Sequence, residues 1–209
     1  MKYQTIIKAV LHILCWLPLV RLVINFLNDD LTANPIEFIT RSTGTWALVI
    51  LFASLTITPL RKIKALNWTI KLRKMLGLYA FFYVCLHFLI YLWFDNSFDW
   101  ARIGQDIAKR PYVTVGFAAF VLLLPLALTS NKFSIRKLTG KRWQQLHRLV
   151  YPAAIGGVVH YYWLVKADIT KPMIYAVVLA VLLGVRIFYK LNPQQRSPRE
   201  YKSDLQPSE

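Results

Sequence analysis

The sequence predicts an all-α, multi-pass integral membrane protein, a six-helix bundle with both termini cytoplasmic. Three observations carry this. The 209 residues are 56% hydrophobic and 14% aromatic, with a mean hydropathy of +0.40, too apolar for a soluble domain of that size. Six apolar runs, near 9–27, 45–60, 75–94, 112–130, 145–165 and 172–189, approach the roughly 20 residues needed to cross a hydrocarbon core of about 30 Å. Lys and Arg gather at Lys2 and Lys8 and in 61–74, 132–142 and 186–202, whereas only Arg41, Arg102, Lys109, Arg110, Lys166 and Lys171 fall on the opposite side. By the positive-inside rule the richer side is cytoplasmic.

Each run has its own punctuation. The first follows a basic start, but Trp16 and Pro18 stand where a small-residue cleavage site would fall, so an uncleaved helix is expected. The second ends in TPLRK, where Pro59 stops the helix and Arg61 and Lys62 sit among head groups. The fifth, in WQQLHRLVYPAAIGGVVHYYW, contains Pro152, which kinks a helix, and Gly156 and Gly157, which admit a neighbouring backbone or a flat ring. Residues 1–191 read as one membrane domain. The stretch 192–209, rich in proline and charge, reads as a disordered cytoplasmic tail.

Composition also excludes classes of function. The net charge of +16 resides in short clusters between apolar runs, which points to membrane loops and lipid contact, not to nucleic acid. Cys15 and Cys85 lie in apolar runs without CxxC or CxxCH spacing, so neither a disulfide framework nor covalent haem attachment is indicated. Without a GxGxxG or Walker loop, any electrons or substrates come from separate partners. Tryptophans and tyrosines at the run ends fit interfacial belts.

All four histidines, His12, His87, His147 and His160, fall inside apolar runs, where an ionisable ring marks a cofactor, a proton path or a polar contact between helices. Helices one, three and five run in the same direction, so depths compare at about 1.5 Å per residue. Counted from the inner ends, His12 and His147 lie roughly 5 and 3 Å deep, and His87 and His160 roughly 18 and 22 Å. The outer pair has the arrangement needed to clamp a haem iron from both axial sides. His147 has no obvious partner. Anionic groups of such cofactors need cations, for which Arg73, Lys74 and Arg148 stand beside the inner layer. A cofactor-free transporter or scaffold, with the histidines as polar contacts, is the competing reading.

The stretches LTITPLRK (55–62), LRKMLGLYAFFYVCLHFLIY (72–91), KRPYVTVGF (109–117), LPLALTS (124–130) and LTGKRWQQLHRLVYPAAIGGVVHYYWLVK (138–166) together resemble the MsrQ family. These are haem-binding membrane subunits of the bacterial periplasmic methionine sulfoxide reductase system, within the ferric-reductase-like transmembrane group. The resemblance runs in order over nearly the whole chain. It implies b-type haem, one or two per chain, with His87, His147 and His160 as haem-associated residues and iron ligands, and it implies FMN. It further implies a place in the bacterial inner membrane and electron transfer to a separate molybdenum-containing periplasmic enzyme, MsrP, which reduces methionine sulfoxide in oxidised proteins. Quinol or a cytosolic flavin reductase is the expected donor, and ferric iron or oxygen the alternative acceptor. Related two-haem oxidases and reductases carry a further histidine about fourteen residues before the first on helix three, where this chain has Arg73 and Lys74; the resemblance therefore leaves His147 either to ligate a second haem with His12 as partner or to border a flavin.

Overall fold

The computed structural model describes residues 2–60, 63–165 and 168–192. The expected tail beyond Asn192, and Arg61, Lys62 and Lys166, lie outside the described residues. Every regular element among those described is a helix, in the order α1 (Lys2–Leu27), α2 (Pro35–Leu60), α3 (Ile70–Ile90), α4 (Trp100–Lys109), α5 (Pro111–Leu128), α6 (Lys132–Leu138), α7 (Gly140–Leu146), α8 (Val150–Leu164) and α9 (Thr170–Leu191). A 3₁₀ turn at Lys64–Thr69 leads into α3, a π turn at Tyr91–Asp95 extends it, and a second 3₁₀ turn at His147–Leu149 separates α7 from α8. The segments Tyr3–Leu27, Pro35–Leu60, Ala65–Asp95, Pro111–Leu128 and Thr170–Leu191 are long and apolar enough to cross a membrane, which makes this a multi-pass membrane protein.

The structure departs from the sequence reading at the fifth run. The stretch 145–165 is not one helix. The helical path there is divided among α7, the 3₁₀ turn and α8, and α8 alone has 15 residues, short of a full crossing. Pro152 explains where the break falls. It occupies the first turn of α8, where the N–H it lacks has no helical partner to lose, and the tighter turn at 147–149 absorbs the interruption. A further element is α4, which lies between the third and fourth apolar runs. Asp99 caps it by accepting from the amides of Ala101 and Arg102 at 3.0 and 3.1 Å, and Ile103 is buried beneath it.

Two antiparallel hairpins form the heart of the bundle: α2 with α3, and α5 with α8, the two most extensive helix pairings in the molecule. Small side chains bring α8 in close. Ala153 and Ala154 are fully buried, Gly156 lies against Ala119 of α5 and Gly157 against Leu48 of α2. In a membrane such residues let helices gain van der Waals contact that lipid cannot replace. Leu48, Leu51, Leu55, Leu72, Leu76, Ala80, Leu123 and Val158 complete the common core.

Helix α1 lies at the edge, with most of its apolar side chains exposed, as a lipid-facing helix should. Three polar contacts among the described residues tie it to α3, one of them from Lys71 Nζ to Gln4 Oε1 at 3.4 Å. The buried Tyr83 donates its hydroxyl to the Cys15 carbonyl at 2.7 Å, and His12 Nδ1 lies 2.7 Å from the Tyr79 hydroxyl. Replacing Tyr83 with Phe is expected to cost about 0.5–1.5 kcal/mol, the net worth of one neutral hydrogen bond. A lowered thermal midpoint in detergent, with α1 cleaved earlier in limited proteolysis, is the expected measurement.

Candidate functional site

Between the two hairpins lies a cavity of about 410 Å³, within the range of cofactor and ligand pockets. Its walls are apolar, with Phe88 of α3 and Phe117 and Phe120 of α5 prominent. Phe88 and Phe120 stack at 4.7 Å. Two histidines enter it, His87 from α3 and His160 from α8. Their ring centroids are 6.1 Å apart and the ring planes 78° apart.

Hydrogen bonding fixes the proton on each ring. His87 Nδ1 is 2.9 Å from the Thr40 carbonyl and His160 Nδ1 is 2.7 Å from the Tyr112 carbonyl. A carbonyl only accepts, so Nδ1 carries the hydrogen and donates it. In the neutral ring Nε2 then holds a free lone pair, and among the described residues neither Nε2 is in a hydrogen bond. Two imidazoles that shared one metal through Nε2, at metal–nitrogen distances of about 2 Å and ring half-widths of about 1.1 Å, would have centroids up to about 6.2 Å apart. The observed spacing matches that span. Among the described residues no cluster of three or more His, Cys, Asp or Glu could hold an ion. Two nitrogens alone fall short of a full coordination shell, so the pair suits a metal that would bring its remaining ligands with it, as in a macrocycle.

The cavity's polar end lies away from the chain termini. There Arg41, Arg102 and Arg110 meet Asp95 and Asp106. Arg41 pairs with Glu37 at 2.6 Å and Arg110 with Asp106 at 3.3 Å. Tyr112 beside it, and then Asp106, hold the Arg110 guanidinium above even its ordinary high range. These three arginines are the cations within reach of an anionic edge in the cavity. None of Arg73, Lys74 and Arg148, the cations singled out from sequence, lines it. Lys74 and Arg148 are exposed on the opposite end of the bundle.

His147 is held differently. Its ring stacks on Trp143 at 3.9 Å, and its Nε2 lies 3.1 Å from the Thr129 hydroxyl. Thr129 already donates its one hydroxyl proton to the Pro125 carbonyl at 2.6 Å, so Nε2 must donate to it. The tautomer of His147 is therefore the reverse of the other two. Trp143 Nε1 donates to the Thr129 carbonyl at 2.9 Å and closes the clamp. His12, the partner considered for His147, is engaged instead with Tyr79 on the far side of α3.

Sequence reasoning passed over Arg186. Its Nη2 donates to the Leu55 carbonyl, its guanidinium lies 5.1 Å over the Tyr151 ring, and Arg73 is an electrostatic neighbour of both Arg186 and His147. Nε and Nη1 of Arg186 are buried with no partner among the described residues. The signal was present: an arginine inside the apolar run AVVLAVLLGVRIFY is as exceptional as a histidine there.

The match to known families covers this framework. The model of the ferric reductase like transmembrane component matches residues 42–158, from the end of α2 that carries Gly44 into α8. The chain is 54% identical over 187 residues to the protein-methionine-sulfoxide reductase heme-binding subunit MsrQ of Herminiimonas arsenicoxydans, covering 88% of this chain and 86% of that protein. It is 51% identical to the MsrQ of Ralstonia nicotianae, covering 88% and 85%, and 53% identical to that of Azospira oryzae, covering 88% and 80%. With a family model over more than half its length and relatives matched nearly end to end, the chain belongs to the MsrQ family of ferric-reductase-like transmembrane proteins.

Proposed function

We propose that the protein is the haem-binding electron-transfer subunit of a methionine sulfoxide reductase system, holding haem b between His87 and His160. The observation that carries this is the 6.1 Å pair of imidazoles, each with Nδ1 bound to a backbone carbonyl and Nε2 free. When bound, haem supplies a one-electron iron couple in an apolar setting. The chain's own residues do the rest. Phe88, Phe117 and Phe120 exclude water from the flat faces, and Arg41, Arg102 and Arg110 offer partners for propionates. The backbone carbonyls of Thr40 and Tyr112 hold a proton on Nδ1 of each histidine and aim the ring.

In this reading the path from α7 to α8 makes the sixth crossing, and both termini lie in the cytoplasm of a bacterial cell. Electrons enter from quinol or a cytosolic flavin reductase at the basic end. His147, Arg73 and Arg186 would border an inner carrier, FMN or a second haem, and the cavity's arginine-lined end would face a periplasmic molybdenum-containing subunit, MsrP, as acceptor. The fixed cations Arg73 and Arg186 favour an anionic carrier there.

A pyridine haemochromogen assay with flavin quantification on one purified sample tests the cofactors. A red, low-spin b-type preparation is expected, and a colourless one from haem-replete cells would sink the proposal. Reconstitution separates the acceptors. Electron flow should depend on the periplasmic reductase, and equal flow to ferric iron or oxygen without it would favour a metal or oxygen reductase.

A further inference from the structure

We infer that Gly44 and Gly116 are positioning residues: each forms, with the carbonyl one helical turn before it, a notch that fixes the tautomer and direction of a facing histidine. The inference rests on the haem reading of His87 and His160. In an α-helix the N–H of residue i bonds the carbonyl of residue i−4, so Gly44 sits directly over the Thr40 carbonyl and Gly116 over that of Tyr112. Those are the two carbonyls that accept from the histidines. A carbonyl oxygen has a second lone pair beside its helical bond, but an imidazole from another helix reaches it only where no Cβ stands over it.

The distances show how tight each notch is. A Cβ added at Gly44 would lie 3.0 Å from Cε1 and 3.1 Å from Nδ1 of His87. One added at Gly116 would lie 2.6 Å from Nδ1 and 2.9 Å from Cε1 of His160. Of the eight glycines, these are the two whose added Cβ meets a histidine, and Gly104, Gly140 and Gly184 face open space. The His160 notch is the tighter, and it also has the shorter hydrogen bond.

The two notches are equivalent by construction. Gly44 and Thr40 on α2 serve the histidine of α3, and Gly116 and Tyr112 on α5 serve that of α8, so each hairpin orients its own ligand. A backbone acceptor cannot rotate away or take up a proton as a carboxylate can. The N–H it receives stays on Nδ1 and leaves Nε2 as the donor to metal, which is the task of such supporting bonds at metal sites.

The test uses full-length, haem-loaded protein in detergent, with variants G116A, G44A and G77A. Gly77 of α3 is the control, because it lies outside the cavity lining and its added Cβ would make only an ordinary contact, 3.7 Å to the Ser54 hydroxyl. G116A is expected to lose about 10- to 100-fold in haem affinity, and its reduced form should gain carbon monoxide binding as His160 is displaced. G44A should move the same way by less, and G77A should keep the wild-type low-spin spectrum. Wild-type spectra and affinity in both G116A and G44A, or equal losses in G44A and G77A, would overturn the inference while leaving the histidine assignment standing. If G116A fails to accumulate, G44A against G77A decides the matter. A wild-type protein without haem would overturn the histidine reading and this inference together.

Discussion

Purified His87→Ala and His160→Ala proteins are each expected to lose the low-spin b-haem spectrum, whereas His147→Ala retains it. Each of the first two variants removes one of the paired imidazoles that span the cavity at 6.1 Å. Altering only the support of a metal ligand already costs about 10- to 100-fold in affinity, so deleting the ligand itself should cost more. The notch left behind is small and apolar apart from one carbonyl, so imidazole added to His160→Ala should restore part of the spectrum. His147 makes its contacts to Trp143 and Thr129, outside the cavity. Reduced-minus-oxidised spectra at equal protein concentration read all three. Full b-haem signal in both cavity variants would contradict the proposed ligation.

The second large effect is expected at Ala154, which has 0% exposure where α8 packs into the bundle. Ala154→Leu forces three extra carbons into a contact that depends on small residues. Overpacking of this kind costs about 1–3 kcal/mol, and here it pushes α8, and His160 with it, away from the α2–α3 hairpin. A lower thermal midpoint together with a weakened haem spectrum is expected. Ile155→Leu, one residue on but 46% exposed, should change neither. Equal behaviour of the two variants would mean that the tight approach of α8 does not hold the site.

The helical class, the crossing runs and the grouping of His87 with His160 were legible because hydropathy and rise per residue are local, additive properties. The division of 145–165 was less so. Pro152 marked a distortion, but only the packed structure shows that its ring falls in the first turn of α8 and that the break precedes it. Helix α4 was readable in retrospect from Trp100, Ile103 and Ile107 at helical spacing behind the cap Asp99. Arg102, Gln105, Asp106 and Lys109 make it too polar to stand out beside the crossing runs. The cations of the cavity could not be found from proximity in sequence. Arg41, Arg102 and Arg110 come from three different segments, and only the fold makes them neighbours of the histidines.

The hairpin construction also bears on how the chain comes together. Since His87 docks on α2, the long helix before its own, and His160 on α5, the long helix before α8 with only the short α6 and α7 between, each ring finds its orientation within its own half of the chain. Neither needs the opposite half of the molecule to be in place. The halves can therefore emerge from the insertion machinery one after the other, already carrying an aligned imidazole. Assembly of this kind ends as a clasp would, with two halves closing face to face and the gap between them becoming the cavity that His87 and His160 share.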